Sequence, residues 1–449
     1  MGSATEATAK MKKNMLPSKP IFAGVALAVL FMLLFSFSPS TKFPNMFAAY
    51  KTTTSPEEDG VAGKDCAPVI YQGLDLSHEP ANQTFYDDPT LSYEIGNPVK
   101  NWDEKRRDWL KLHPSFAIGA EDRVFVLTGS QPLPCKNPIG DHLNLRLFKN
   151  KVDYCRIHGY DIFYNNAFLH PRMVGWWTKL PIVRATMLAH PEVEWIFWID
   201  SDAVITNMDF KIPVKKYKNH NLVVPGVPDD IYKKKSWAGV NAGVFYIRNC
   251  QWSMEFMEAW AEMGPQTPNY EHWGQIQMET LSDKNDPNSD DQSALSYLIL
   301  TGKEKWGDKI YWEFSYDLNG YWGFLVNSFD NITNKFVEIE KGVIELRRRH
   351  AEKVSEHYAA LMKDAIVNQG GDGVRLNRPF ITHFTVCRHC SGSYGGDYTA
   401  ELCYGGMEKA LNFADNQVLR NYGFVRTNLR NSSSVYPLRF GSLSYNTEN

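Results

Sequence analysis

The segment Glu194-Trp-Ile-Phe-Trp-Ile-Asp200-Ser201-Asp202 decides the fold, because five apolar residues in a row lead directly into two carboxylates. A short run that is apolar at every position is typical of a strand buried on both faces of a sheet. Burying an unpaired acidic side chain costs free energy. We therefore expect Asp200 and Asp202, which follow the strand, to face an open edge of the sheet. The segment therefore predicts a central strand with a polar site at its carboxyl end.

Patterns of strands and helices alternate on both sides of this segment. Strands are predicted at 123–128, 160–164, 222–224 and 242–247, and helices at 101–107, 141–157, 179–189, 252–261 and, as one long charged surface helix, 336–366. Strands that alternate with helices are typical of a doubly wound α/β sheet, which binds ligands at the carboxyl ends of its strands. Gly129 and Ser130 follow the first of these strands, so we expect them at the same edge as the acidic triplet.

The two carboxylates of the triplet predict a site for a divalent cation. Their hard oxygen atoms suit Mn²⁺ or Mg²⁺, either of which bridges to the diphosphate of a nucleotide sugar. His383, after the β-like run Pro379-Phe-Ile-Thr, is a candidate third ligand, with a purely structural histidine as the alternative. Arg388, five residues further on, is a candidate for neutralising the leaving diphosphate.

The segment Asp290-Asp291-Gln292 stands between a polar loop and an apolar run that predicts a helix. One interpretation is a helix N-cap, in which acidic groups complement the helix dipole. The other is a catalytic loop, in which a carboxylate and an amide orient donor and acceptor hydroxyl groups. Both interpretations hold together if one aspartate caps the helix while the other faces the site.

The N-terminal region predicts a membrane anchor. Residues 21–37 are uncharged and apolar, and four lysines precede them, which predicts a cytosolic tail at 1–20 and a signal anchor at 21–38. A cleaved signal peptide is the alternative, although a small-residue cleavage site is missing. The remaining chain is then lumenal, with a stem and lead-in at 39–118, a catalytic domain at 119–430 and a tail at 431–449.

A lumenal chain agrees with the sequons at Asn82, Asn331 and Asn431, and with the seven cysteines, which allow disulfides in an oxidising compartment. The odd number leaves at least one thiol unpaired. Cys387, Cys390, Cys403 and His389 offer zinc ligands as an alternative, but no second Cys-x-x-Cys pair accompanies them. The formal net charge of −3 indicates no nucleic-acid partner.

At these motifs the chain resembles plant glycosyltransferase family 34, which holds galactomannan galactosyltransferases and xyloglucan xylosyltransferases. The resemblance covers about residues 75–440 and is carried, in chain order, by Thr128-Gly-Ser-Gln-Pro, Asn137-Pro-Ile-Gly-Asp-His, Lys151-Val-Asp-Tyr-Cys-Arg-Ile-His-Gly, Trp177-Thr-Lys-Leu-Pro, Trp198-Ile-Asp-Ser-Asp-Ala, Asp290-Asp-Gln-Ser-Ala, Gly320-Tyr-Trp-Gly, Thr382-His-Phe and Ala410-Leu-Asn-Phe-Ala-Asp-Asn-Gln.

The resemblance implies a GT-A fold, with a Rossmann-like sheet flanked by helices, a UDP-sugar donor, Mn²⁺ and retention of anomeric configuration. It places metal ligands at Asp200, Asp202 and His383, nucleotide contacts at Gly129, Ser130, Lys179 and Ser201, and the donor-sugar and catalytic loop at Asp290, Asp291 and Gln292. It also implies a polysaccharide acceptor, the Golgi membrane as location and a type II orientation, with homo- or hetero-oligomers as an open possibility.

Within that family the chain is more similar to the galactomannan branch. Asn101-Trp-Asp-Glu-Lys-Arg, His113-Pro-Ser-Phe-Ala and Leu346-Arg-Arg-Arg-His-Ala-Glu-Lys resemble that branch. The xylosyl branch lacks this last charged segment and carries His where this chain has Asn319. Transfer of galactose from UDP-galactose to mannan is therefore the first expectation, with transfer of xylose from UDP-xylose to xyloglucan as the alternative.

Two positions depart from the family pattern, Val386 and Arg388, the second of which stands where the xylosyl branch has Lys and the galactosyl branch can be uncharged. Members usually read His-Phe-x-Gly-Cys, but Val386 precedes Cys387 in this chain. Loss of that glycine restricts the backbone beside the expected diphosphate. A weakly active scaffold subunit of a wall-polysaccharide complex is therefore a further alternative.

Overall fold

The computed structural model describes residues 82–346, 352–368, 378–395 and 398–438. The expected cytosolic tail and signal anchor lie outside the described residues, as do most of the stem and the end of the C-terminal tail. None of the helices in the described ranges has the length and apolar character that crossing a membrane requires.

Strands and longer helices alternate through the first half of the described chain. The strands are β1 (Val124–Gly129), β2 (Asp161–Asn165), β3 (Trp195–Ile199), β4 (Ala203–Ile205), β5 (Leu222–Pro225), β6 (Val244–Arg248), β7 (Ile310–Glu313), β8 (Gly320–Tyr321), β9 (Ile381–His383), β10 (Cys387–Arg388), β11 (Ser393–Tyr394), β12 (Phe424–Val425) and β13 (Tyr436–Pro437). The helices are α1 (Trp102–Leu112), α2 (Pro114–Ala117), α3 (Pro138–His158), α4 (Lys179–Ala189), α5 (Pro228–Tyr232), α6 (Gln251–Ala261), α7 (Tyr270–Thr280), α8 (Asp291–Thr301), α9 (Lys303–Trp306), α10 (Trp322–Leu325), α11 (Phe329–Gly342), α12 (Ser355–Asn368) and α13 (Ala400–Leu419).

The central sheet has six strands in the order β2-β1-β3-β6-β5-β7. Strand β1 pairs in parallel with β2 and β3, as a doubly wound sheet requires. Strand β6 runs antiparallel to both β3 and β5, so the sheet is mixed. The α/β class expected from the sequence is confirmed, and the acidic triplet leaves the sheet at its centre.

Alternating side chains of β3 pack into two separate cores, which explains why every position of this strand is apolar. Trp195, Phe197 and Ile199 face the core that contains buried residues of α3 and α13. Ile196 and Trp198 face the opposite core, with buried residues of α4, α6 and α8. The sheet is therefore covered by helices on both faces, and its carboxyl edge is left for the site.

A second sheet of three short strands, in the order β4-β9-β8, lies beside the triplet in the chain. Strand β4 begins immediately after Asp202, and Ala203 is paired with His383 of β9. On the other side of β9, Tyr321 of β8 is paired with the same histidine. This sheet brings His383 next to Asp202 although the two residues are far apart in the sequence.

Two disulfides fix the chain that follows His383. They join Cys135 to Cys390 and Cys387 to Cys403. Because Cys387, Cys390 and Cys403 are all oxidised in this way, the zinc interpretation of these residues is wrong. Cys155 and Cys250 are free thiols, and Cys66 lies outside the described residues.

The single long helix predicted at 336–366 is wrong. Helix α11 ends at Gly342 and helix α12 begins at Ser355. Val343 adopts an extended conformation, and a short 3₁₀ turn at Ile344–Leu346 follows it. Glycine followed by a β-branched residue is a weak point in a helix, and burial of Leu346 in the core favours the break.

Candidate active site

Asp200, Asp202 and His383 form a group that could hold a metal ion. One ligand atom from each residue lies within 4.8 Å of the others. Asp200 is fixed by its backbone N–H, which donates to the carbonyl oxygen of Gly243 at 2.8 Å. The backbone N–H of Phe384 donates to the carbonyl oxygen of Asp202 at 3.1 Å. Two carboxylates and an imidazole are a suitable donor set for Mn²⁺.

The imidazole of His383 is oriented by Asn319. Its Nδ1 lies 2.6 Å from Oδ1 of Asn319, and its Nε2 lies 3.2 Å from Oδ1 of Asp202. Because the amide oxygen can only accept, Nδ1 carries the hydrogen, and the lone pair of neutral His383 is on Nε2. A histidine that ligates a metal commonly donates its other N–H in this manner. Nε2 is therefore the atom through which His383 could ligate a metal ion.

Paired charges in this group shift the pKa values of both partners. Burial opposes the proton on His383, but the carboxylate of Asp202 outweighs it and raises the pKa of the imidazole. Burial acts to raise the pKa of Asp202. The charge and the hydrogen bond of His383 outweigh burial and lower that pKa. His383 and Asp202 thus form an ion pair in the absence of a metal ion, and a bound metal ion would replace the proton on His383.

Gly243 leaves the space that the side chains of His383 and Asp200 occupy. A Cβ atom at this position would stand 2.4 Å from Cε1 of His383 and 2.7 Å from Oδ2 of Asp200. Contacts this short are incompatible with the observed positions of the two ligands. No motif in the sequence marks Gly243, although this residue lies just before strand β6, whose first residue is paired with the last residue of β3.

Lys179 links Asp200 to the Asp290-Asp291-Gln292 segment. Its ammonium group lies 2.5 Å from Oδ2 of Asp291 and 3.3 Å from Oδ1 of Asp200, and it donates to the carbonyl oxygen of Ala242 at 2.8 Å. Burial opposes this charge, but the two carboxylates outweigh it and raise the pKa of Lys179. Burial raises the pKa of Asp291 to about 6, although Lys179 opposes that shift.

The two aspartates of the segment have different positions. Asp290 is the N-cap of α8: its Oδ1 accepts from the backbone N–H of Ser293 at 2.8 Å, and its Oδ2 accepts from Lys284 at 3.2 Å. Asp291 is buried against Lys179. One aspartate thus caps the helix while the other faces the site, which is the combination that the sequence allowed. The catalytic role of Asp290 stays a prediction.

Gln292 is hydrogen-bonded to Asn241, a residue that no sequence motif marks. Nδ2 of Asn241 donates to Oε1 of Gln292 at 3.1 Å, and Oδ1 of Asn241 accepts from the backbone N–H of Gly243 at 2.9 Å. Asn241 therefore connects the predicted catalytic amide to the chain beside the metal ligands. The only signal in the sequence is its position next to a predicted strand.

The expected nucleotide contacts lie along the same edge of the central sheet. Strand β1 pairs with β3 up to Leu127 and Trp198, so Gly129 and Ser130 follow at the edge where Asp200 leaves. Asn144 donates to Oγ of Ser130 at 3.2 Å. The contacts of these residues with a nucleotide stay predictions.

A buried lysine, Lys151, is hydrogen-bonded to the backbone of Ser201. Lys151 of α3 donates to the carbonyl oxygens of Ala203 and Ser201 at 2.8 and 3.2 Å. Burial lowers the pKa of Lys151 to about 8. In the sequence, Lys151 is marked only by the family resemblance of its segment, and the structure places its ammonium group against the backbone of the acidic triplet.

Arg388 is exposed on β10, and its guanidinium group lies 5.2 Å from the ring centroid of Trp176. Trp176 lies in a 3₁₀ turn directly before Lys179. The segment that carries Arg388 therefore contacts the turn that precedes Lys179. Neutralisation of a diphosphate by Arg388 stays a prediction.

Val386 adopts a left-handed backbone conformation, with φ of 67°. Its backbone lies in a turn in which the N–H of Cys387 donates to the carbonyl oxygen of Phe384 at 3.0 Å. Such a φ is unusual for a β-branched residue, because its Cβ meets the following carbonyl oxygen. The family glycine that this chain lacks would adopt the same conformation without that cost.

Comparison with known proteins identifies the family. Residues 120–393 match the galactosyl transferase GMA12/MNN10 family, and this stretch contains the whole constellation described above. The chain belongs to this family. The resemblance to glycosyltransferase family 34 is thereby confirmed.

Family relatives cover most of this chain. Galactomannan galactosyltransferase 1 of Cyamopsis tetragonoloba is 56% identical over 367 residues, which are 82% of this chain and 83% of that protein. Glycosyltransferase 6 of Arabidopsis thaliana is 54% identical, over 84% of this chain and 87% of its own length. A protein named "Probable xyloglucan 6-xylosyltransferase 3" of Arabidopsis thaliana is 42% identical, over 81% and 74%.

Membership of this family makes the chain a glycosyltransferase that uses a nucleotide-sugar donor. The Asp-Asp-His group is consistent with a divalent metal in such an enzyme. The Asp-Asp-His group and the Asp290-Asp291-Gln292 segment come from three separate parts of the chain. All three parts lie within the matched residues 120–393, which end after β10.

Proposed function

We propose that this enzyme transfers galactose from UDP-galactose to O6 of mannosyl residues in a β-mannan backbone, with retention of configuration. The observation that carries the reaction type is the metal group of Asp200, Asp202 and His383 at the carboxyl edge of the central sheet. The similarity to galactomannan galactosyltransferase 1 supports the choice of sugar and acceptor.

Asp200, Asp202 and Nε2 of His383 would hold the ion, and Mn²⁺ fits their mixed oxygen and nitrogen donors best. A metal ion bound there would supply positive charge that neutralises the diphosphate of the donor. Asn319 keeps the lone pair of neutral His383 on Nε2. Lys179 compensates the charges of Asp200 and Asp291 before any ligand binds.

The acceptor hydroxyl attacks the anomeric carbon from the face that UDP leaves. The bond between this carbon and the diphosphate oxygen breaks, a bond to O6 of the acceptor forms, and the hydroxyl proton passes to the leaving diphosphate. Asp291 holds the sugar, Gln292 stabilises developing charge, and Arg388 helps to neutralise UDP. Fixed donors and charges of this kind lower a barrier because they need no reorganisation during the reaction.

The proposed location is the Golgi membrane, with a type II anchor at 21–38 and a lumenal catalytic domain. Two features of the described residues support it: the two disulfides, and the exposed positions of Asn82, Asn331 and Asn431 as glycosylation sites. Association with other wall-polysaccharide transferases, or with a second copy, belongs to the same proposal.

Transfer assays with the solubilised full chain test this function. Mn²⁺ and either UDP-galactose or UDP-xylose are combined with mannan or glucan oligosaccharides, and the product linkage is read by mass spectrometry and NMR. Galactosylated mannan is the expected product. Xylosylated glucan would favour the alternative specificity of the xylosyl branch, and no transfer with any pair would refute an active enzyme.

A weakly active scaffold subunit is the second candidate, and the strained Val386 is the observation that favours it. Calorimetry separates the two candidates, because a scaffold without a working site binds UDP weakly and without dependence on Mn²⁺. Tight Mn²⁺-dependent binding that is lost in Asp202→Ala is expected for the enzyme.

A further inference from the structure

The side-chain amide of Gln292 is held in one orientation by hydrogen bonds whose direction is unambiguous. The backbone N–H of Gly243 can only donate, so the atom of Asn241 that it contacts at 2.9 Å is the oxygen. The other amide atom of Asn241 is therefore the nitrogen, which donates to Gln292 at 3.1 Å. Gln292 consequently accepts through Oε1, and its NH₂ group faces away from Asn241.

This NH₂ group is available to a ligand. Within the described residues Gln292 donates no hydrogen bond from Nε2, and its side chain is half-buried. Gln292 follows directly after Asp291, whose carboxylate contacts Lys179, which in turn contacts the metal ligand Asp200. Asn241, which binds Gln292, also accepts from the N–H of Gly243, the residue whose Cβ would meet His383 and Asp200, so this amide adjoins the metal group.

We infer that Asn241 is a positioning residue that makes Gln292 a hydrogen-bond donor toward the transferred group. The inference deepens the proposed function and rests on it. An N–H stabilises an oxygen that carries or gains negative charge, such as the diphosphate oxygen of the leaving group or a sugar hydroxyl oxygen. An amide oxygen in that place would instead stabilise positive charge at the anomeric carbon. Asn241 selects the first of these two roles.

Two substitutions of Asn241 distinguish this role from simple packing. Asn241→Asp keeps the shape and the bond from Gly243, but it offers Gln292 only an acceptor, so the Gln292 amide turns over and points its oxygen at the substrate. Asn241→Ala leaves the amide free to adopt either orientation. We expect kcat to fall about 100-fold in the first variant and about 10-fold in the second, with the donor KM changed less than about threefold. A packing role predicts the opposite order, because Ala removes more contacts, and that order would overturn the inference.

A double-mutant cycle removes the effect of the added charge. In a Gln292→Ala background the Asn241→Asp substitution should reduce kcat by less than about twofold, because the residue through which it acts is absent. A loss that remains near 100-fold would show that the new carboxylate acts directly on the site, and the inference would then fail. Rates are measured on the full chain with whichever nucleotide sugar the wild-type enzyme turns over fastest.

Thermal unfolding provides a measurement that needs no turnover. If the Asn241–Gln292 bond exists in solution, the decrease in Tm of the double Ala variant is smaller than the sum of the two single decreases. Additive decreases overturn the inference whatever the activity. A wild-type protein that turns over no nucleotide sugar but shows this coupling would refute the proposed function while retaining the amide orientation.

Discussion

Oδ1 of Asn319 lies 2.6 Å from Nδ1 of His383, while Nε2 of the same imidazole lies 3.2 Å from Asp202. One residue that binds no metal thus determines which nitrogen of His383 can bind one. We expect Asn319→Ala to weaken Mn²⁺ binding by about 10- to 100-fold, which isothermal calorimetry measures directly. Asn319→His, which introduces the residue of the xylosyl branch, can still accept from Nδ1 and should retain more affinity. Equal affinity in all three proteins would contradict the role of this bond.

Gly243→Ala tests the packing of the ligands themselves. Its Cβ would approach His383 and Asp200 to 2.4 and 2.7 Å, so the two ligands must move apart. We expect Mn²⁺ affinity to fall by a factor of 100 or more, and transfer activity to fall with it. Gly342→Ala at the end of α11 is the matched control, because its Cβ would meet nothing within 4 Å. Normal metal binding by the Gly243 variant would show that the site does not have this geometry.

The Lys179→Met substitution removes the buried positive charge that pairs with the carboxylates of Asp291 and Asp200. The side chains of Lys179 and Asp291 are 3% and 7% exposed, so the remaining carboxylate would be buried without its partner. Loss of one partner from a buried pair costs about 3–5 kcal/mol of folding free energy, and chemical denaturation should report a decrease of that size. The double variant Lys179→Met/Asp291→Asn should recover much of the loss. If the double variant is less stable than the single one, the pair is not what Lys179 stabilises.

Val386→Gly should stabilise the protein. A left-handed conformation costs a non-glycine residue about 1–2 kcal/mol, and the side chain is 43% exposed, so little burial is lost with it. Allowing for the greater entropy of an unfolded glycine, we expect a gain of about 1 kcal/mol in denaturant titrations. Val386→Ala keeps a Cβ and should gain much less. A destabilised glycine variant would mean that the valine side chain contributes more than its backbone costs.

Metal binding should depend on pH through His383. The pKa of this imidazole is raised above its ordinary value of 6.5, so in the metal-free protein it keeps its proton to a higher pH. A protonated imidazole cannot ligate, and the metal must displace that proton. The Kd for Mn²⁺ should therefore rise about tenfold for each pH unit below the pKa of His383 and level off above it. Calorimetry in buffers of different ionisation enthalpy should detect the released proton, and a Kd independent of pH would contradict His383 as a ligand.

Local patterns in the sequence were sufficient for most of the central sheet and for half of the site. The apolar run at 195–199 could only be a strand buried on both faces, and the acidic residues after it had to leave the core. The predicted helix at 179–189 agrees with α4 at both ends. These predictions depend on neighbours in the chain, whose spacing the sequence displays directly.

The helix predicted at 336–366 is interrupted after Gly342, which local periodicity in the sequence does not predict. Apolar residues at helical spacing continue across Val343, but burial of Leu346 in the core favours a break that no periodicity records. The cysteine pairs were equally open, since four oxidised residues allow several connectivities and only their positions in space decide among them.

The sequence by itself determined that an α/β transferase of this family carries two carboxylates at a strand end, because residue type and short-range order establish both. Only the tertiary structure decided which atoms meet. Pairing of β4 with β9 brings His383 to Asp202 across 181 positions, and Gly243, just before strand β6, lies against His383 and Asp200. Only the tertiary structure shows that Asn319 orients His383 and that Asn241 orients Gln292. A hydrogen bond between distant segments produces no periodic pattern in the sequence.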